Sequence, residues 1–446
     1  MPAVVRLVLG EIKAPETRAT SLALVGHLVL ASMLFGVACV GLVTSSHLGG
    51  ETGGVFRSFA VPGALAAIIC TAVSTRALVS VHDGASRQRR RSWAVGGVPR
   101  AIAGLVVAVH LLGLTAVGAS LGLAATDAVS SILGSVTIST THGAVEVDLD
   151  LDVVGALSAV GLVLVSVVPA VVPFVRRPYG AGRRSRTLGA ARLLASTAAA
   201  SLAATAVVVT GDVRDRDGVE RVVALSLLLL LALVLLLCTS LVRSIGRLLR
   251  LAVEKLPIET PVILLTAAGG ASAVLRTTPG ASASVAAVAG LLGGMPAVFL
   301  VGDEALRVDG TSAGSHVDVV ALLSTLGPAL LLGASASAIT FVVARPSRSQ
   351  DAGLLRASGA GPGHLVATST TEALLFGLPA GVASTAVVTL SVLPLAIISR
   401  VPFWELVACI ANPLFFVALG TTALALVLAA VLSWSVDQLT TYRVTR

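Results

Sequence analysis

Long apolar runs dominate this chain, and short polar segments separate them. A helix needs about 20 apolar residues to cross the hydrocarbon core of a bilayer. Windows of this length recur ten times, so the pattern predicts about ten transmembrane helices with both chain ends on one side. The predicted spans are 21–44, 58–81, 101–124, 153–175, 190–210, 222–245, 282–302, 319–344, 366–397 and 407–434.

The composition agrees with this pattern. Hydrophobic residues make up 55% of the 446 residues, charged residues only 12%, and the mean hydropathy is +0.96. A soluble domain needs a largely polar surface, which this sequence cannot supply. We therefore expect an all-α polytopic membrane protein.

The distribution of basic residues predicts the orientation, because cytoplasmic loops carry an excess of Lys and Arg. With the N-terminus placed in the cytoplasm, most of the 31 basic residues fall on the cytoplasmic side. The segments predicted to face outward hold only Arg57, Arg214, Arg216, Arg221, Arg307 and Arg400. The distribution predicts that both termini are cytoplasmic. The arginine clusters then indicate lipid headgroups as partners rather than nucleic acid.

The spans divide the chain into six predicted segments. They are a cytoplasmic amphipathic lead-in helix (1–20), a first four-span module (21–175), a linker with spans five and six (176–245), a cytoplasmic or interfacial segment (246–281), a second four-span module (282–434) and a cytoplasmic tail (435–446). The stretch 261–276 is apolar but short, so we expect it to lie on the inner leaflet. If it crossed the membrane, the later spans would invert, which the charge distribution disfavours.

One outward segment, residues 135–152, has the alternation of a β-strand. From Val145 onward, apolar and acidic residues alternate strictly, and a Thr-His-Gly turn precedes them, which predicts a small extracellular β-hairpin. The acidic face consists of Glu146, Asp148, Asp150 and Asp152. This face would either attract a cationic substrate or simply be solvated.

No enzymatic or cofactor chemistry is predicted. The only lysines, Lys13 and Lys255, do not follow glycine, so there is no phosphate-binding loop for nucleotide. The four cysteines lie in apolar runs, and the histidines lack the spacing of metal ligands. We expect no catalytic residue, no metal site and no cofactor.

Two polar junctions share a pattern across the chain. A shift of 263 residues places the segment from Trp93 on the segment from Arg356 and aligns Gly96 with Gly359 and Pro99 with Pro362. Each copy follows a span and a basic linker and begins the next span. Gly and Pro are common at loop–helix boundaries, but the matching positions in two similar halves predict a duplicated module.

The second junction and the span after it carry a family resemblance. The segment from Asp351 to Gly381 contains Leu-Leu-Arg-Ala-Ser-Gly-Ala and then Glu-Ala-Leu-Leu-Phe-Gly-Leu-Pro-Ala-Gly. It resembles the signature of FtsX-like ABC transporter permeases, the MacB/LolC/BceB-type superfamily. The resemblance is good over residues 345–385 and degraded over 86–118, where Trp93 replaces the Arg and Val109 falls where Glu372 lies.

The resemblance implies a function and a partner. Such permeases work with a separate ATPase, expected as a homodimer per permease, and a short cytoplasmic helix couples the two. The positions implied as ATPase-coupling are Ser92, Trp93, Gly96, Leu354, Leu355, Arg356 and Gly359. The large outer domain of the family is missing, so docking of a periplasmic adaptor and macrolide-type efflux are not expected.

Ionisable residues within the spans leave two interpretations open. Glu372 would be either a gating or proton-linked contact or a hydrogen-bonded packing group, and the second is favoured because it lies near the inner face. His27 and His110 have the same two interpretations.

The sequence as a whole predicts a permease subunit in the bacterial plasma membrane. It would couple ATP hydrolysis in its partner to export or extraction of an amphiphilic substrate such as a lipid, a peptide or an antimicrobial. The alternatives are a non-transporting regulator of a cell-wall hydrolase or sensor kinase, and a secondary transporter, which would need several ionisable residues at mid-depth.

Overall fold

A computed structural model provides the architecture. It describes residues 6–8, 10–11, 15–48, 50–133, 135–140, 143–148, 153–176, 216–255, 261–277, 282–308, 319–343 and 348–444. These residues fall into two compact units. The first comprises residues 1–182 and 323–336, and the second comprises residues 183–322 and 337–446.

The first unit is built on four helices. They are α1 (Pro15–Leu48), α2 (Gly50–Val95), α3 (Arg100–Leu133) and α4 (Val153–Val175). Helix α1 packs on α2, α3 and α4, and α4 also packs on α2 and α3. The four helices therefore form a bundle with α1 in contact with every other member.

The second unit contains most of the remaining elements, with α9 shared between the two groups of residues. In chain order these are α5 (Arg216–Leu233), a π-helical segment (Val234–Cys238), α6 (Thr239–Glu254), α7 (Val262–Thr277), α8 (Ala283–Val308), α9 (Val319–Val343), α10 (Arg348–Ala357), α11 (Pro362–Ile398), α12 (Phe403–Ile410) and α13 (Pro413–Val444). Helix α11 is central, because α5, α6, α7, α8, α12 and α13 all pack on it.

Seven helices in the described part of the chain are long and apolar enough to cross a membrane. They cover Thr17–Val40, Ala64–Ser86, Arg100–Ile132, Ala283–Glu304, Leu326–Val343, Pro362–Ile398 and Pro413–Ser433. This is the architecture of an α-helical membrane protein with several spans. Each of the seven overlaps one predicted span.

The other three predicted spans have different outcomes. Spans 153–175 and 222–245 overlap shorter apolar helices, Val153–Pro169 and Arg221–Leu233, and span 190–210 lies outside the described residues. The count of ten stays a prediction. The stretch 261–276 forms α7, which packs on α6 and α11, and its interfacial location also stays a prediction.

Two strands follow α3 at the segment where the sequence alternates. They are β1 (Ser135–Thr140) and β2 (Gly143–Asp148), paired antiparallel with Val136 opposite Val147 and Ile138 opposite Val145. Glu146 pairs with Thr137, and Asp148 pairs with Ser135. Asp150 and Asp152 lie outside the described residues. The location of this pair on the outer face stays a prediction.

Glycines bring α1 and α3 into close contact. A Cβ atom on Gly118 would lie 2.6 Å from Leu28 Cβ, and one on Gly122 would lie 2.5 Å from the Val29 carbonyl oxygen. Gly118 and Gly122 are four residues apart, the spacing at which small residues let membrane helices approach backbone to backbone. This contact determines how α1 and α3 pack.

Aromatic and aliphatic side chains of α7, α9, α11 and α13 form a buried cluster in the second unit. Phe341 of α9 and Phe376 of α11 are fully buried, and their ring centroids are 5.3 Å apart. Val274 and Leu275 of α7 complete this cluster together with Leu426 and Ala430 of α13. The cluster holds α7 against the first half of α11.

Candidate functional site at two helix junctions

The two junctions singled out in the sequence have the same backbone geometry. The first junction comprises residues 92–100 and links α2 to α3. Its Val98 N–H donates to the Trp93 carbonyl (3.0 Å), and its Gly97 N–H donates to the Ala94 carbonyl (3.2 Å). Gly97 has a φ of +77°. These bonds and this dihedral define a Schellman motif, which ends a helix on a left-handed glycine.

The second junction comprises residues 354–362 and links α10 to α11. Its Ala360 N–H donates to the Leu355 carbonyl, and its Gly359 N–H donates to the Arg356 carbonyl, both at 2.9 Å. Gly359 has a φ of +91°. The second junction is thus also a Schellman motif, and the next helix begins three residues after the glycine in both.

This geometry corrects the predicted alignment by one residue. Gly97, not Gly96, is the counterpart of Gly359, so the shift between the copies is 262 residues rather than 263. The sequence alignment had paired one of two adjacent glycines with Gly359. Only the hydrogen bonds and φ distinguish the two glycines. Gly97 has the left-handed conformation that favours glycine, and Gly96 does not.

The corrected shift also changes two other pairings. Trp93 corresponds to Leu355, and both side chains are half-buried. Glu372 corresponds to His110 instead of Val109, and both are buried, at 2% and 4% exposure. The degraded copy therefore keeps an ionisable group at the same position of the span.

The predicted ATPase-coupling residues are mostly accessible. Ser92, Gly96, Leu354 and Gly359 are exposed, while Trp93, Leu355 and Arg356 are half-buried. Leu354 is 71% exposed and Val95, which the sequence analysis did not single out, is 90% exposed. Each junction therefore presents an apolar side chain at the end of a helix, with a partly buried residue next to it.

A buried charge cluster lies beside the first junction, and the sequence analysis missed it. Arg90 of α2 is 2% exposed and donates to Asp83 Oδ1 (2.7 Å) and to Glu11 Oε1 (3.4 Å). Arg89 donates to Glu11 Oε2 (3.0 Å) and to the Gly10 carbonyl (3.2 Å). These contacts tie the segment before α1 to α2. The sequence offered one signal for this cluster: the acids Glu11 and Asp83 lie in segments that are otherwise rich in arginine and are predicted to be cytoplasmic.

Polar contacts continue from this cluster along the interface of α1 and α2. Thr20 Oγ1 lies 2.9 Å from His82 Nδ1, and His27 Nε2 lies 2.9 Å from Ser74 Oγ. The two pairs are seven residues apart on α1 and eight on α2, so they form successive layers two helical turns apart. Buried polar layers of this kind specify the register of two helices.

The layer of Thr20 and His82 reaches a third helix through stacked histidines. The rings of His82 on α2 and His110 on α3 are stacked, with centroids 5.1 Å apart and planes 16° apart. In the sequence, His82 and His110 thus lie on opposite sides of the first junction, 15 residues before and 13 residues after Gly97. Sequence analysis singled out His110 but not His82, since nothing local shows that they meet.

Comparison with family models, with curated proteins and with solved structures found no match to this chain. Similarity to known proteins therefore supplies no family assignment, and the argument for function rests on the junctions and the helices that they connect.

Proposed function

We propose that the chain is the membrane-spanning permease subunit of an ABC-type transporter. A separate ATPase would hydrolyse ATP, and the permease would transmit the resulting motion to export or extract an amphiphilic substrate. The observation that carries the proposal is the pair of equivalent junctions, each of which ends a helix with an exposed apolar residue and starts a candidate span. The resemblance of residues 345–385 to FtsX-like permeases adds to it.

The junctions suit a mechanical role because each places an accessible side chain next to the start of a long helix. Helix α11 continues without interruption in its assigned range from Pro362 to Ile398, about 55 Å at 1.5 Å per residue. A push on Leu354 or on its neighbours at the second junction would move the start of this helix. Val95 and Ser92 would receive the equivalent push at the first junction.

The finer arrangement in this proposal follows the charge pattern. The chain would have ten spans in the bacterial plasma membrane, with both termini and both junctions in the cytoplasm, and β1 and β2 would form an extracellular hairpin. The amphiphilic substrate would enter from the membrane, because the predicted outer loops are short. Lipid headgroups would contact the arginine-rich side.

A purification experiment tests the partnership. The tagged chain is isolated from native membranes, and co-purifying ATPase subunits are quantified by mass spectrometry. Leu354→Asp places a charge on an exposed apolar contact and should reduce the recovered ATPase at least tenfold without changing the yield of the chain.

The matched control is Ile132→Asp. Ile132 is 82% exposed but lies at the opposite end of α3 from the first junction. ATPase recovery with this variant should equal that of the wild type. The proposal fails if the wild-type chain recovers no nucleotide-hydrolysing subunit, or if both variants lose it equally.

A secondary transporter is the second candidate, and buried ionisable groups favour it more than the sequence suggested. His27, His110 and Glu372 are each at most 4% exposed and lie within candidate spans. Such groups within a membrane are functional-site candidates by default. Substrate accumulation in liposomes that contain only this chain and an imposed proton gradient would support this candidate and exclude the ATPase proposal.

A further inference from the structure

In the described part of the second unit, regular α-helix is interrupted at several places, which include the following three in addition to Pro296 of α8 and Pro394 of α11. A π-helical segment, Val234–Cys238, separates α5 from α6. Helix α7 ends at Thr277, and α8 begins at Ala283. Helix α11 contains Pro379, which has no N–H to donate to the carbonyl four residues earlier. Single π turns and prolines are the usual sites of helix bending.

Contacts place two of these irregularities side by side. The Cys238 thiol, at the end of the π segment, lies 3.8 Å from the carbonyl oxygen of Ala283, the first residue of α8. Ser284, the next residue of α8, is 3.1 Å from Ser337 of α9 through their hydroxyl oxygens. The end of the π segment, the start of α8 and Ser337 therefore lie at one height along the unit.

The third irregularity lies at the same height. Phe341, one turn beyond Ser337 on α9, packs against Phe376 of α11 with the two rings tilted by 42°. An antiparallel course of α9 and α11 would place Ala380, one turn after Phe376 and beside Pro379, opposite Ser337. A second contact agrees with this placement. A Cβ on Gly290 of α8 would lie 3.6 Å from Val387 of α11. Gly290 lies seven residues after Ala283, and Val387 lies seven residues after Ala380.

Side chains at this height are small and buried. Ser284, Ser337 and Ala380 are fully buried, and Gly377 and Gly381 flank Pro379. Such residues add little side-chain packing to resist bending, and each glycine makes regular helix less stable than alanine would. Helix α13 crosses the same region unbroken, with Leu419 next to Gly381 and Leu426 next to Gly377.

The first unit has prolines in other helices: α2 contains Pro62, and α4 contains Pro169 and Pro173. Helix α1 runs from Pro15 to Leu48 without an internal proline, and α3 has Val117 where the corrected shift places Pro379. The close glycine contacts of α3 with α1 hold backbone against backbone there. The proline in the middle of α11 is thus not part of the duplicated pattern.

We propose that Cys238, Ala283, Ser284, Ser337 and Pro379 form a hinge layer within the second unit. On one side of this layer lies a junction-side body, comprising α6, α7 and the first half of α11. On the other side lies a distal body, comprising α5, α8 and the second half of α11. The two bodies bend relative to each other, and α13 connects them as a continuous rod. The hinge is a property of the fold and does not depend on an ATPase partner.

Electron–electron double resonance on the full chain in lipid nanodiscs tests the hinge. Nitroxides on an unnatural amino acid leave the four native cysteines in place. The cross-layer pair is Leu265 on α7 with Ile397 on α11, at 44% and 62% exposure. The within-body pairs are Leu251 with Leu265, and Phe299 with Leu390. The cross-layer distance distribution should be at least twice as wide as either within-body distribution.

Two proline variants make the test specific to the layer. Pro379→Ala restores the missing donor and should narrow the cross-layer distribution at least twofold, whereas Pro394→Ala, in the same helix but outside the layer, should leave it unchanged. Within-body distributions that stay narrow show that each variant is folded. The proposal is overturned if the wild-type cross-layer distribution is as narrow as the within-body ones, or if Pro394→Ala narrows it as much as Pro379→Ala.

Discussion

The two units support equivalent junctions in different ways. In the first unit, one helix runs from Gly50 to Val95 into the junction, and buried Arg90 ties it to Glu11. In the second unit, the ten-residue helix α10 precedes the junction, and the corrected shift places Ala352 where the first unit has Arg90. The first junction is braced by charge, and its counterpart has lost the arginine that does this.

The helices that follow the junctions, α3 and α11, also differ in how tightly they pack on their neighbours. The corrected shift pairs Gly118 and Gly122 of α3 with Ala380 and Ser384 of α11. Glycine lets α3 meet the backbone of α1, whereas the glycines of α11 face side chains of α13, since a Cβ added to Gly377 would lie 3.0 Å from the Leu426 side chain. The glycines of α3 therefore face backbone and those of α11 face side chains, so equivalent positions in the two copies do not impose the same packing.

Cysteine reactivity separates the stabilities of the two units. Cys70 in the first unit and Cys238 in the second are fully buried, so a thiol-reactive dye labels each only after its unit opens. Variants that keep a single one of these cysteines report the opening temperature of one unit in detergent. The four predictions below use this measurement, from the largest expected effect to the smallest.

Arg90→Met should cause the largest loss, because it leaves Asp83 without its 2.7 Å ion pair and removes one arginine from Glu11. Breaking a buried pair from one side typically costs about 3–5 kcal/mol. The opening temperature reported by Cys70 should fall sharply, while the one reported by Cys238 should stay unchanged. Arg91→Met, at an exposed neighbour, is the control and should change neither. Equal effects of the two variants would show that the cluster does not brace the first unit.

Gly122→Ala should come next. The added Cβ would lie 2.5 Å from the Val29 carbonyl oxygen, and backbone cannot rotate away as a side chain can. Overpacking of this kind costs about 1–3 kcal/mol. The opening temperature reported by Cys70 should therefore fall, and the one reported by Cys238 should stay unchanged. Gly113→Ala, in the same helix with no atom within 4 Å of the added Cβ, should be neutral or slightly stabilising. A neutral Gly122→Ala would refute the backbone contact between α1 and α3.

Asn412→Ala should destabilise the second unit by about 1–2 kcal/mol. The buried Asn412 amide donates to the Gly293 carbonyl (2.9 Å), near Pro296, and its Oδ1 accepts from the Phe415 N–H (3.0 Å). The loss should appear at Cys238 and not at Cys70. Asn412→Asp keeps the cap but not the donor, so it should recover part of the stability. If Asn412→Asp recovers no stability, the hydrogen bond from Asn412 to Gly293 of α8 contributes more than the helix cap does.

The smallest effects should come from the junction glycines. Gly97→Ala and Gly359→Ala each force a side chain into a left-handed conformation, at about 1 kcal/mol. Gly96→Ala should cost clearly less, because Gly96 does not have a positive φ. If Gly96→Ala were the costlier change in the first junction, the original shift of 263 would be correct and the pairing of His110 with Glu372 would fall.

The sequence predicted the class of fold and the neighbourhood of the junctions well. Spans such as 366–397 were visible because a membrane helix shows its length and apolarity locally. The junction at Gly359 was visible because Gly and Pro punctuate helices. The exact pairing was not, because Gly96 and Gly97 are adjacent and identical, and only a hydrogen-bonded backbone distinguishes them.

The buried ion pairs, the histidine contact and the π-helical segment could not be predicted from the sequence, for a different reason. Arg90 and Glu11 are 79 residues apart, and Arg90 looked like any other arginine of the positive side. His82 met His110 only once α2 and α3 were placed side by side. The π segment carries the letters Val-Leu-Leu-Leu-Cys, which any apolar helix could contain.

The sequence by itself determined that this is a polytopic helical membrane protein with two related junctions, because apolarity, charge bias and glycine placement act over a few neighbouring residues. The tertiary structure decided which glycine turns the chain, which arginine is buried and where the helices of the second unit break together. Those properties depend on which side chains from distant parts of the chain share a height and a face, and no local pattern records that.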